Sequence, residues 1–168
     1  ELAELAAKAS DGADRVRWLD DLIAADRAAG AGRTDRSRFL AAGAALEIAR
    51  PLDGAARVVK LAAPLDRSLL AKKTALEAAL AGYGRAAEYG IAAVTTEASF
   101  AMADLYRHLG QALMESERPG DLSVEELEQY DLLLEEQAFP FEEKATELHE
   151  ANARRAASGL YDEWVKKS

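Results

Sequence analysis

The side chains of this chain that could do chemistry are mostly carboxylates. Thirty Asp and Glu stand against 21 Lys and Arg, with two histidines and no cysteine. Di-metal carboxylate sites in helical bundles need a Glu-x-x-His unit on each of two helices. Leu105 stands three residues before His108, and Thr146 three before His149, so neither histidine forms that unit. The lack of cysteine excludes thiolate metal sites and disulfides. Adjacent acids recur at Glu125-Glu126, Glu135-Glu136 and Glu142-Glu143. Neighbours on a helix point about 100° apart, so such pairs do not share a site and read as solvated faces. Serines fall at caps or alone, and no Gly-rich loop follows a strand as phosphate binding would need. These residues nominate no catalytic group, no cofactor and no metal, and the chain reads as a non-enzyme.

The elements that would carry these side chains are helices. Hydrophobic content is 49%, but much of it is alanine, the best helix former and a poor source of buried area. Strand-like alternation never runs beyond a few residues, so an all-α fold of six to eight helices in one domain over residues 1–168 is expected. A short first helix ends at Asp11-Gly12. A second, from about Ala13 to Ala28, has Val16, Leu19, Leu22 and Ile23 on one stripe. Thr34 or Asp35 caps a third helix carrying Phe39, Leu40, Leu46 and Ile48. Pro51 either kinks that helix or starts a new turn, with a break expected near Arg50. Pro64 suits the first turn of a fourth helix, and Thr95 or Thr96 the cap of a fifth. Gly82 and Gly84 sit inside the fourth helix, where each costs about 1 kcal/mol relative to alanine, so close helix approach is the expected compensation. Ser123 and Glu126 form a capping box for a sixth helix, with Leu127, Tyr130, Leu133 and Leu134 inward. At Phe139-Pro140-Phe141 that helix is expected to stop and a last one to begin. Trp164 is expected to leave an apolar patch exposed near the end of the chain.

Charge is unevenly placed. The net charge is −9, yet residues 121–150 alone hold eleven acids and one lysine, a net of −10. Residues 50–73 carry six basic and two acidic side chains. The overall sign disfavours nucleic acid as a partner. An acidic helical hairpin over 121–150 would attract a basic protein surface. No apolar run approaches the roughly 20 residues a bilayer requires, so no direct membrane insertion is expected. The chain starts at Glu1 rather than Met and ends within an apparent helix at Ser168. It reads as a piece of a longer protein, and a missing targeting signal carries no weight.

Two segments share a pattern. Residues 75–88 set Ala79, Tyr83 and Ala86 on one helical face, and residues 141–154 set Ala145, His149 and Asn152 the same way. This small–ring–small pattern resembles the second helix of a tetratricopeptide (TPR) unit. The helix around Phe100–Tyr106, with Ala103 at the close-contact position, resembles a first TPR helix, two residues late for the strict 34-residue spacing. The match covers about half the chain and its motifs are loose. The longer phrase from Leu122 to Ala156 resembles the C-terminal helical region of bacterial envelope TPR proteins associated with Tol- or TonB-type energy transducers and gliding-type trans-envelope systems.

The resemblance implies stacked antiparallel hairpins, a degenerate TPR-like right-handed solenoid, acting as a protein-interaction scaffold. It also implies a periplasmic or cell-envelope location in a Gram-negative bacterium, with the cytoplasm as the alternative. A peptide or helix would then lie in a groove against Glu97, Phe100, Asp104 and Arg107. Glu125, Glu128 and Glu135 would form a second, acidic docking surface. The other reading is a helical-bundle enzyme or ligand-binding domain, which would need inward-facing polar groups around a closed pocket between helices. Heptads are not sustained, which ranks a coiled-coil module lower, and the oligomeric state is open.

Overall fold

Small residues decide how closely these helices approach. In the computed structural model, residues 2–9 and 11–168 are described, apart from the side chains of Leu2 and Ala9. They form seven α-helices: α1 (Leu2–Ala9), α2 (Gly12–Ala28), α3 (Asp35–Val58), α4 (Leu65–Ala87), α5 (Ala92–Met114), α6 (Val124–Ala153) and α7 (Glu163–Lys167). Short 3-10 turns occupy Gly30–Gly32 and Arg154–Ser158. No strand occurs among the described residues. The fold is all-α, as composition and periodicity predict.

Each helix packs on the next in sequence, and α3 also packs on α5. Successive helices run antiparallel. Asp26 meets Ser37 and Arg15 meets Glu47 across α2 and α3, while Gly82 lies on Ala49 across α3 and α4. Between α5 and α6, Gly110 lies against Ala138 and Glu142. By contrast α3 and α5 are parallel, since Arg50 pairs with Glu97 and Arg57 with Asp104, both at the same offset in sequence. The hairpins α3–α4 and α5–α6 are therefore stacked in register. The main core runs through Ala49, Leu76, Ala79, Tyr83 and Ala86 into Ala98, Leu105, Leu109 and Ala138. A smaller cluster of Ala7, Leu19 and Ala44 joins α1, α2 and α3. Both small–ring–small faces point inward. Ala79, Tyr83, Ala86, Ala145 and Asn152 are buried and His149 is half-buried.

Thr34 and Ser37 form a capping box at α3, and Ser123 and Glu126 form the expected one at α6. The break expected near Arg50 and the stop expected at Pro140 do not occur. α3 runs unbroken through Pro51, and α6 runs unbroken through Pro140. A mid-helix proline costs about 3 kcal/mol through its lost N–H and its clash with the preceding turn. Both rings face solvent here, while buried Ala49 and Ala56 flank Pro51, and buried Ala138 and Ala145 flank Pro140. Packing on both sides of each proline holds the helix together, and a bend convex toward water is tolerated on the exposed side. The acidic segment 121–150 is consequently not a hairpin. It is mostly one long helix, and the small–ring–small segment 141–154 is the C-terminal part of that helix.

Other expectations also shift. α5 begins after Gly90, so Thr95 and Thr96 lie in its first turns rather than at its cap. Leu127 and Leu133 are exposed, not inward. At 30 residues α6 is longer than the 23 of α5, an excess of about 10 Å. With Arg118 already paired to Asp131, the first turns of α6 extend past the end of α5, which leaves Leu127 partly in solvent. Val16 and Phe39 are likewise exposed.

A β-carbon at Gly82 would stand 2.9 Å from Ala49 Cβ, whereas one at Gly84 would meet nothing within 4 Å. The expected close approach thus exists at Gly82 alone. Gly82→Ala should destabilise the fold by about 1–3 kcal/mol through overpacking. Gly84→Ala should stabilise it by up to about 1 kcal/mol through helix propensity. Urea unfolding of the two variants should shift the midpoint in opposite directions.

Candidate functional site

The four groove residues proposed from sequence recur along α5 at intervals of three and four, which brings them to one side of that helix. Their surroundings come from α3, α6 and α7. Arg50 of α3 donates to Glu97 Oε1 at 2.6 Å. Arg57 of α3 bridges Asp53 on its own helix and Asp104 Oδ2 at 2.9 Å. Arg107 closes on the same Asp104. The phenol of Tyr83 donates to Asp53 Oδ2 at 2.9 Å, which ties α4 into the network. Burial would raise the Asp104 pKa, but the hydrogen bond from Arg107 and the charge of Arg57 outweigh it and hold the carboxyl below its ordinary value. Burial beside Asp53 pushes the Tyr83 phenol up, so it stays a donor.

Phe100 lies under the end of the chain. Its ring meets His149 edge-on and Trp164 at a tilt, both with centroids 5.3 Å apart. Lys167 Nζ stands 4.2 Å from the Trp164 ring. Trp164 is therefore half-buried on α5 and is not the free patch expected from sequence. Two polar anchors fix this arrangement. Asp162 accepts from Trp164 N and Val165 N at the start of α7, and from Thr96 Oγ1 at 2.5 Å. Asn152, fully buried, directs Nδ2 to Thr96 O at 3.1 Å, Ser168 Oγ at 3.0 Å and Trp164 O at 3.4 Å.

Of the four groove residues, then, Glu97 and Asp104 are held by arginines and Phe100 is covered by Trp164. Arg107 is the one whose side chain stays mainly in solvent. Glu125, Glu128 and Glu135 are exposed along α6 and form no ion pair among the described residues. Beside them Leu132, Leu133 and Phe139 are exposed as well. From sequence, Leu133 reads as core through its spacing with Tyr130, yet it is exposed.

A further feature has no signature in the sequence. α2 and α4 both pack on α3 and leave an open cleft of about 900 Å³ between them. Ile23, Ala45 and Ile48 lie at its base, with Tyr89 at one end. Asp26, buried at its edge, is paired with Arg33 at 2.5 Å and accepts from Ser37 Oγ at 2.7 Å. Arg33 in turn lies 5.6 Å over the Tyr89 ring. No local motif marks this cleft, because its walls come from helices some 60 residues apart in sequence.

No group of three or more His, Cys, Asp or Glu among the described residues could hold a metal ion, and no helix is long and apolar enough to cross a membrane. Compared with known proteins, the chain matches no family model, no curated protein and no solved structure.

The arginine network and the half-buried histidine can each be tested. Arg57→Gln leaves Asp53 and Asp104 short of their shared cation and should cost about 1–3 kcal/mol in urea unfolding. Burial lowers the His149 pKa below its ordinary value, with the Asp104 charge opposing it and the Arg107 charge adding to it. The unfolded chain then binds the proton first, so stability falls as pH drops below about 6.5 toward the folded value. His149→Phe should remove that slope, read as thermal midpoints across the same pH window.

Proposed function

We propose that this protein is a non-enzymatic, TPR-like interaction scaffold whose principal docking surface is the outer face of α6. The observation that carries the reading is the coincidence of charge and apolar exposure on one helix. The segment that holds the acid excess also exposes Leu132, Leu133 and Phe139. Exposed apolar side chains rimmed by charge mark interaction surfaces. Fully exposed carboxylates steer a basic partner to the surface, and the apolar side chains supply contact area once it arrives.

The groove face of α5 is a second place for a peptide or helix. A ligand there must bind beside Arg107 or displace Trp164 from Phe100. The resemblance of α6 to envelope TPR proteins points to the periplasm of a Gram-negative bacterium as the place to seek the partner. The competing reading, a ligand-binding or enzyme domain, would use the α2–α4 cleft. That cleft is open, and the one buried carboxylate at its edge is already taken by Arg33, which favours the scaffold.

The test uses the chain as bait in a Gram-negative periplasmic extract at low and high salt, beside the triple charge reversal Glu125→Lys, Glu128→Lys, Glu135→Lys. A partner captured at low salt, released at high salt and lost with the variant supports α6 docking. A partner retained equally by the variant, or none at any salt, removes it.

A further inference from the structure

The outer face of α6 has a fine structure that narrows its partner. Leu132 and Phe139 are seven residues apart, two helical turns or about 10 Å, and so stand in one line along the helix. At 100° per residue, Glu128 and Glu135 fall on one side of that line, and Glu136 and Glu143 on the other. All six side chains are exposed. The result is an apolar ridge with a row of carboxylates along each flank.

The α2–α4 cleft has the inverse pattern. Its base is apolar, from Ile23, Ala45 and Ile48. One wall carries Arg27 of α2 and the other Arg85 of α4, both exposed and with no carboxylate partner among the described residues. Arg38 of α3 also lines the cleft, fixed by donation to Tyr89 O at 2.9 Å. Asp20, Asp26 and Glu88 also line the cleft, so its four arginines, Arg33 included, leave an excess of one positive charge over the whole lining. In a chain of net charge −9, such a cleft is a local exception.

We infer that the α6 ridge of one copy seats in the α2–α4 cleft of a second copy, giving head-to-tail self-association. Leu132 and Phe139 enter the cleft, Glu128 and Glu135 meet the arginine of one wall, and Glu136 and Glu143 meet that of the other. The two surfaces lie on different helices of the same chain and do not overlap. The contact is thus heterologous and can propagate to chains or rings rather than stop at a two-fold dimer. The contact area of two helical turns is small, which makes the association weak and salt-sensitive. The inference rests on the reading of α6 as a docking surface and names its partner.

Sedimentation velocity of the intact chain from about 10 to about 500 µM reads the association by mass action. At about 50 mM salt the average sedimentation coefficient should rise with concentration, and at about 500 mM salt the same rise should need at least about tenfold more protein. Arg27→Glu with Arg85→Glu, and separately Glu128→Arg with Glu135→Arg, should each stay monomeric alone. All four positions are exposed, so circular dichroism and urea midpoints should match the parent. Mixing the two variants should restore a complex, because each supplies the surface that the other lacks. A wild-type chain that is monomeric throughout overturns the inference, as does self-association that survives either double variant or is not restored by mixing. If the chain is monomeric but the α6 variant still loses a captured basic partner, α6 docking stands and self-association alone fails.

Discussion

The contact that most constrains this fold is the one between Gly82 and Ala49. It brings α4 onto α3 so closely that a single added methyl would touch a neighbour at 2.9 Å. Dispersion and exclusion of water at that distance are what an alanine-rich interface has in place of large side chains. Close approach also sets the reach of the polar groups at the rim. Tyr83, next to Gly82, can reach Asp53 only because the two backbones are close. Asp53 holds Arg57, and Arg57 reaches across to Asp104 on α5. One small residue thus positions a chain of contacts across three helices, including the groove face proposed to meet a partner.

Much of this is legible from residue type and spacing. Ser123 with Glu126 announces a helix start because the cap chemistry is local. Ala79, Tyr83 and Ala86 announce a buried face because their spacing matches one side of a helix. The prolines are not legible, since their local cost is outweighed by burial on the opposite face, which depends on helices distant in sequence. That difference bears directly on function. Splitting α6 at Pro140 turns one long helix into two shorter ones and hides that residues 141–154 continue the helix that carries the ridge.

The candidate site divides along the same line. The acid excess over residues 121–150 is a count and needs no structure. The covering of Phe100 by Trp164 needs Thr96, Asn152 and Asp162 to meet, and no pattern in the chain links positions so far apart. The cleft between α2 and α4 is harder still, because it is defined by the gap that two helices leave on a third. Motifs reveal residues that act together in one segment. They pass over Arg27 and Arg85, which share a site only through the packing of both helices on α3.

Alanine cores have a weakness that the buried polar groups address. Sliding one alanine-rich helix by a turn along another replaces alanine with alanine and changes the apolar contact little. Polar groups do not allow this exchange. Lys72 is buried and donates to the carbonyls of Arg57 and Val59 at the end of α3, which fixes α4 along α3. Asp26, paired with Arg33 and Ser37, fixes α2 along α3. Asn152 fixes α6 along α5 through the Thr96 carbonyl. A slip at any of these would leave a buried donor or acceptor unpaired, at about 1–3 kcal/mol or more where the group is charged. Register is therefore set by three side chains at three interfaces, and the rest of the apolar surface follows them. The positions of the α6 ridge and the α2–α4 cleft depend on that register, so the polar pins that specify the fold also specify which surfaces it presents.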